Sequence, residues 1–143
     1  CMPDRFNLSY VDKDGSEKRT FVVHRSSIGA IERIMAFLIE HYAGAFPLWL
    51  APVQVSVLTV TDVAKNYARD VVRTLEEHDM RVGIDDRNET IGKKIREAEM
   101  QKIPYLLVIG GREAEAKTVA VRERGKGNLG AMSLEDFLKQ LRD

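Results

Sequence analysis

The stretch Pro104-Tyr105-Leu106-Leu107-Val108-Ile109-Gly110-Gly111 decides the fold. A continuous apolar run closed by two glycines reads as a strand buried on both faces. Such a strand needs a layer of structure above it and another below. Working outward supplies both. Upstream, residues 91–102 read as a helix and residues 81–85 as a short strand. Before them, Asp62 is expected to cap a helix that carries Ala64, Tyr67, Ala68, Val71, Val72 and Leu75 on one face. Residues 53–60 read as a further strand. Downstream, residues 118–122 alternate with polar positions, which predicts a strand nearer an edge. Ser133 with Asp136 forms a capping box for a last helix holding Leu134, Phe137, Leu138 and Leu141. Strands that alternate with helices predict an α/β fold of three layers.

The first third reads differently. Residues 6–11 form a strand, Asp12-Lys13-Asp14-Gly15 a turn, and residues 20–23 the returning strand. Residues 27–42 predict a helix with Ile28, Ile31, Met35, Leu38 and Tyr42 at helical spacing. Gly29, Ala30, Ala36 and Phe37 make a second stripe, to which Ile34 adds. A helix apolar on several faces expects partners on several sides, and about fifty residues cannot supply them. This segment therefore reads as part of something larger, as does a chain that begins at Cys1 and not at methionine. Ala43-Gly44-Ala45-Phe46-Pro47 reads as a linker and Pro52 opens a new unit, giving domains 1–50 and 51–143.

Composition narrows the function. The chain has 143 residues, 44% hydrophobic and 31% charged, with 22 Lys plus Arg against 22 Asp plus Glu. A net charge of zero leaves no global attraction for nucleic acid or anionic membrane, so any such binding needs a local patch. The one cysteine, Cys1, excludes an internal disulfide and fits a reducing compartment. The apolar residues 45–60 are too few to span a bilayer and contain Pro47, Pro52 and Gln54. There is no Walker loop, GxSxG or HExxH motif.

Several side chains are candidates for chemistry, each with a plainer alternative. Arg33, flanked at helical spacing by small residues, suits a bidentate phosphate contact; alternatively it pairs with Glu32 or Glu40. His24 reads as a metal ligand or as a hydrogen-bonded histidine, and zinc needs about three or four protein ligands. Residues 85–94 form a polar loop leading into a helix N-terminus, the usual ligand crevice of open α/β sheets. Asp85 and Asp86 there read as a magnesium or acid pair, or as turn residues balanced by Arg87 and Lys93. Lys93, Lys94, Arg96 and Lys102 make one helix side basic, read as solvated. Lys117, Arg122, Arg124 and Lys126 form a second basic cluster, with Arg122 and Arg124 on one strand face. With Asn88 and Glu113 for base edges, it could read splayed single-stranded RNA. Tyr105 is the nearby aromatic for stacking.

Taken together the motifs are more specific. Phe6-Asn7-Leu8-Ser9-Tyr10 and His24-Arg25-Ser26-Ser27-Ile28-Gly29-Ala30-Ile31-Glu32-Arg33 resemble the strand and motif 3 helix of class II aminoacyl-tRNA synthetases. Residues 39–55, from Ile39-Glu40-His41-Tyr42 through Phe46-Pro47-Leu48-Trp49, resemble the threonyl-tRNA synthetase family in particular. So do residues 85–96, Lys102-Ile103-Pro104-Tyr105 through Gly110, and Val119-Ala120-Val121-Arg122-Glu123-Arg124 through Gly130, which match its anticodon-binding domain. The resemblance covers essentially the whole chain. It implies a three-layer α/β/α domain with a mixed sheet, preceded by a β-hairpin and helix from a catalytic domain. It also implies roles. Arg33 corresponds to the arginine that binds ATP phosphate, and His24 to a ligand of the zinc that recognises threonine. Asn88, Lys102, Glu113 and Arg122 correspond to residues that bind the anticodon, although many members carry arginine at position 102. Ala30 stands where the family has a hydroxyl. The implied partner is threonine tRNA, and the implied whole protein is an ATP- and zinc-dependent threonine–tRNA ligase, a cytoplasmic homodimer. Two class-defining motifs, the other zinc ligands and an editing domain are not among these residues. The expectation is that this chain alone neither holds zinc or another cofactor tightly nor catalyses. An anticodon-like module serving protein contacts, and a small nucleotide-binding protein using the 85–94 crevice, are the alternatives.

Overall fold

The computed structural model describes residues 2–26 and 28–141, in two compact units, Cys1–Ala36 and Phe37–Asp143. The isolated Cys1 and the helix start expected at Ser27 lie outside the described residues. In the first unit a short helix α1 (Met2–Arg5) precedes a hairpin of β1 (Ser9–Val11) and β2 (Glu17–Arg19). The returning strand is thus residues 17–19, not 20–23, and the turn explains the shift. Gly15 takes φ +79 and donates to the Asp12 carbonyl at 2.8 Å, while Asp12 N–H donates to the Ser16 carbonyl at 2.8 Å. The Lys18 ammonium bonds both Asp12 and Asp14. A loop closed that tightly brings Glu17 opposite Val11, and the ladder is complete by Arg19. Phe21 and Val23 follow outside the strand and are exposed.

Helix α2 (Ile31–Tyr42) starts later than its apolar spacing predicts, because Gly29 sits at φ +73 just before it. Not one of its 12 residues is buried. Ala43 and Gly44, both at positive φ, end the helix, with Gly44 N–H on the Ile39 carbonyl at 3.0 Å.

The second unit is built on five strands. In chain order come β3 (Val55–Thr59), a single 3-10 turn Asp62–Ala64, α3 (Lys65–Glu77), β4 (Val82–Asp85), α4 (Ile91–Met100) and β5 (Tyr105–Ile109). Then follow α5 (Gly111–Ala116), β6 (Thr118–Glu123), β7 (Gly127–Ser133) and α6 (Leu134–Gln140). The strand order is β4-β3-β5-β6-β7, with β3 parallel to β4 and β5, and the last two pairings antiparallel. This is the mixed three-layer α/β arrangement expected. The chain steps from β3 one way to β4, then back across β3 to β5. Right-handed crossovers in opposite directions put α3 and α4 on opposite faces. Alternation along the strands matches. Val55, Val57, Leu107, Ile109, Val119 and Val121 meet Ala68, Val71 and Leu75 of α3 and Phe137 of α6. Leu58 and Leu106 meet Ala98 of α4.

Three expectations are corrected here. Asp62 lies inside the 3-10 turn, salt-bridged to Lys65 at 2.8 Å, and does not cap α3 from outside. The double glycine ends β5 but also begins α5. And β6 is interior, because β7 covers its outer side.

Candidate nucleic-acid interface

The second unit has helices α3, α5 and α6 on one face and only α4 on the other. Beside α4, the face of β6 and β7 is therefore left open. Arg122 is fixed there by register. Its β5 neighbour is Leu106, which faces α4, so Arg122 faces the same way. A register shift between Val121 and Arg122, with Gly127 and Gly130 at positive φ on β7, bends the edge beside it. The guanidinium Nη2 lies 3.7 Å from Glu99 of α4, and its Nε is buried without a hydrogen-bond partner among the described residues. Arg122, Glu99, Ile103, Leu106, Arg124 and Gly127 line a cleft of about 270 Å3. A cation about a third exposed beside an open cleft can take an acceptor from outside through its guanidinium Nη groups.

The other expected readers are set elsewhere. Asn88 is exposed in the loop after β4, over a polar crevice of about 260 Å3 lined also by Thr61, Asp62 and Lys65. Glu113 is in the first turn of α5, after β5. Its carboxylate accepts from the Gly110 N–H at 2.9 Å and closes the start of α5. Asn88 and Glu113 therefore follow the carboxyl ends of parallel strands. Arg122 lies opposite Leu106, near the start of β5, about 10 Å away along the strand at a rise of about 3.3 Å per residue. Lys102, at φ +57 after α4, belongs to that second end, and its ammonium bonds the Ala43 carbonyl. A surface that joins both ends runs along α4, whose Arg96 is exposed midway. Sequence reasoning placed Arg96 only on a solvated face.

The second basic cluster does not act as one patch. Arg124 leaves the strand and turns inward, donating to the Ala45 and Phe46 carbonyls at 3.1 and 2.6 Å and also to the Lys102 carbonyl. Lys126 pairs with Glu123 at 2.9 Å, and Lys117 ends α5 at φ +52. Tyr105 packs edge-on against Phe137, with ring centres 5.5 Å apart, on the face away from Arg122, so it offers no stacking platform there.

The polar loop is held by its own charges. Arg87 grips Asp85 in a two-pronged bond of 3.0 and 2.7 Å and reaches Glu97 at 2.6 Å. The guanidinium holds the Asp85 carboxyl below its usual range, and the two carboxylates raise Arg87. Lys93 pairs with Glu89 at 2.6 Å and lowers its carboxyl; Asp86 meets Arg69 at 3.5 Å. Each acid already has a cation, which leaves no free acidic pair for magnesium. Lys94 departs from the solvated reading: it is 2% exposed, and its ammonium donates to the Thr59 carbonyl at 2.8 Å and the Asp85 carbonyl at 3.2 Å.

In the first unit Arg33 is exposed and forms no ion pair with Glu32 or Glu40 among the described residues. Gly29 and Ala30 precede the helix, so they do not form its small-residue face. His24 is exposed, and among the described residues no three His, Cys, Asp or Glu side chains converge as metal ligands. No helix among the described residues is long and apolar enough to cross a membrane.

Residues 54–143 match the model of the family described as "Anticodon binding domain". A threonine–tRNA ligase of Desulforamulus reducens is 58% identical over 142 residues, 99% of this chain and 22% of that protein. One from Clostridium tetani is 55% identical over 140 residues, 98% of this chain and again 22% of the relative. The chain thus spans less than a quarter of the length of these relatives. Among solved structures, the RNA-binding domain of threonyl-tRNA synthetase from Cryptosporidium parvum Iowa II superposes with a TM-score of 0.75 at 35% identity, covering 99% of this chain and 36% of that one.

Proposed function

The chain belongs to the anticodon-binding-domain family, and on that premise we propose that it recognises the anticodon of threonine tRNA within a longer threonine–tRNA ligase. The observation that carries this reading is Arg122, set by strand register on an open sheet face with its guanidinium about a third exposed beside a cleft. A splayed base can accept from the exposed end of that guanidinium, and hydrogen bonds to base edges select sequence where phosphate contacts only position the strand. Asn88 and Glu113 read from the carboxyl end of the sheet. Lys102, spent on the Ala43 carbonyl, adds charge more than a directed contact.

The longer protein would join threonine to its tRNA at the expense of ATP, as a homodimer in the cytoplasm. Domain 1–50 would be the tail of its catalytic part. Arg33 fits the phosphate contact there, because it is exposed and meets no acidic partner among the described residues, and α2, with none of its residues buried, fits a helix that packs into a larger body. His24 would be one of several ligands to a zinc ion, the others coming from elsewhere in the longer protein. The 143-residue chain by itself would leave both cofactors unbound.

The test is binding to a threonine-tRNA anticodon stem-loop against a loop with the second and third anticodon bases changed, at two salt concentrations. A preference that survives added salt is expected. Arg122→Ala should shrink it by about 1–3 kcal/mol, the value of one base-edge contact. Weak binding to both loops that disappears with salt would overturn the reading, leaving only charge attraction.

A further inference from the structure

Lys94 is among the largest fully buried side chains of the described residues, and it carries a charge. A buried ammonium is costly unless its donors are met. Here they are met by the chain ends of two neighbouring strands: the Thr59 carbonyl at 2.8 Å, the Asp85 carbonyl at 3.2 Å and the Thr59 hydroxyl at 3.4 Å. The Asp85 carboxylate lies 4.0 Å away. Thr59 is the last residue of β3 and Asp85 the last of β4. The ammonium therefore ties together the two points from which residues 60–62 and 86–90 depart. The second loop is then held by the Asp85–Arg87–Glu97 bonds and by Lys93 on Glu89, which leaves Asn88 exposed at its centre. A hydrophobic side chain of similar length would fill the same space without fixing either strand end.

We propose that Lys94 is a positioning residue for anticodon reading: it touches no RNA, and by tying the ends of β3 and β4 it sets the loop that presents Asn88. This rests on the functional reading above.

The experiment uses the 143-residue chain, the two anticodon loops and amide hydrogen exchange of residues 86–90. Lys94→Met should reduce the preference between loops by the same factor as Asn88→Ala, and the double variant should fall no further. The salt dependence of binding should stay at the wild-type slope, and the loop amides should exchange faster. Loss of affinity equal on both loops, with a slope lower by about one, would mean a phosphate contact and overturn the proposal. So would wild-type preference in Lys94→Met. If Asn88→Ala itself leaves the preference intact, the reading of Asn88 fails, and the exchange rates alone then judge Lys94: unchanged rates overturn its positioning role. Should Lys94→Met not fold, Lys94→Gln keeps a donor but shortens the reach and removes the charge, and it should speed the same amides to a lesser degree; no change there also overturns it.

Discussion

Glu113 serves two ends at once. Its carboxylate accepts the Gly110 N–H and so holds the first turn of α5, and the same group is the proposed base reader. A Cβ on Gly110 would come within 2.9 Å of that carboxylate, so the glycine is what lets it fold back. The two roles separate by substitution. Glu113→Ala should lose the cap and about 1 kcal/mol of stability, seen as a lower urea midpoint. Glu113→Gln keeps an acceptor and should hold the midpoint near wild type while changing the choice between anticodon loops. Equal stability of the two variants would mean the cap contributes nothing. The balance of Asp85 by Arg87 was legible in the sequence, whereas Lys93, set there against the two aspartates, goes to Glu89 four residues before it, and Asp86 goes to Arg69 of α3. Lys94 was grouped by charge with its neighbours, although its place on α4 matches Ile91, Ile95 and Ala98 at i, i+3, i+4 and i+7, the buried stripe. The period had the answer and the residue type hid it. Arg124 could not have been read, since its partners Ala45 and Phe46 are distant in sequence and present only carbonyls.

Among elements, those with strong side-chain patterns were legible: β3, β4, β5, α3, α4 and α6. The ones missed are made of residues that punctuate. Gly127, Asn128 and Gly130 lie in β7, where pairing with β6 and a bulge override what looks like a turn. Strand β2 is wholly exposed and charged, and only the geometry of its turn places it. The end of the fold depends on α6, which drives Phe137 fully into the core. Its start is fixed by the Ser133 hydroxyl, which accepts the Asp136 N–H at 3.1 Å. Ser133→Ala should cost about 1 kcal/mol in urea denaturation. Since α6 packs over the face opposite Arg122, RNA preference should be untouched; a lost preference at unchanged stability would contradict that separation of faces.

At the scale of the molecule, charge balance and core placement are linked through the loop end of the sheet. Asp85 has its pKa lowered by Arg87, so its contribution to stability is present above the unfolded value, about 3.9, and is lost as pH falls through the folded one. The urea midpoint should therefore drop between pH 7 and pH 3, and Asp85→Asn should drop less across the same interval. An identical drop would assign the acid sensitivity to other carboxylates. The segment before the sheet has a different dependence. Its carbonyls are taken up by Arg81 at Trp49 and Ala51, by Gln54 at Leu48, and by Arg124 at Ala45 and Phe46. Every one of those contacts addresses the backbone. The instructions for the shape of residues 43–51 are thus written mostly in other parts of the chain, at positions 54, 81 and 124. Apart from Gly44 at φ +75 and the buried Ala51, the segment's own letters can drift while its path is kept, whereas one changed letter at 124 would release both the Ala45 and the Phe46 carbonyl.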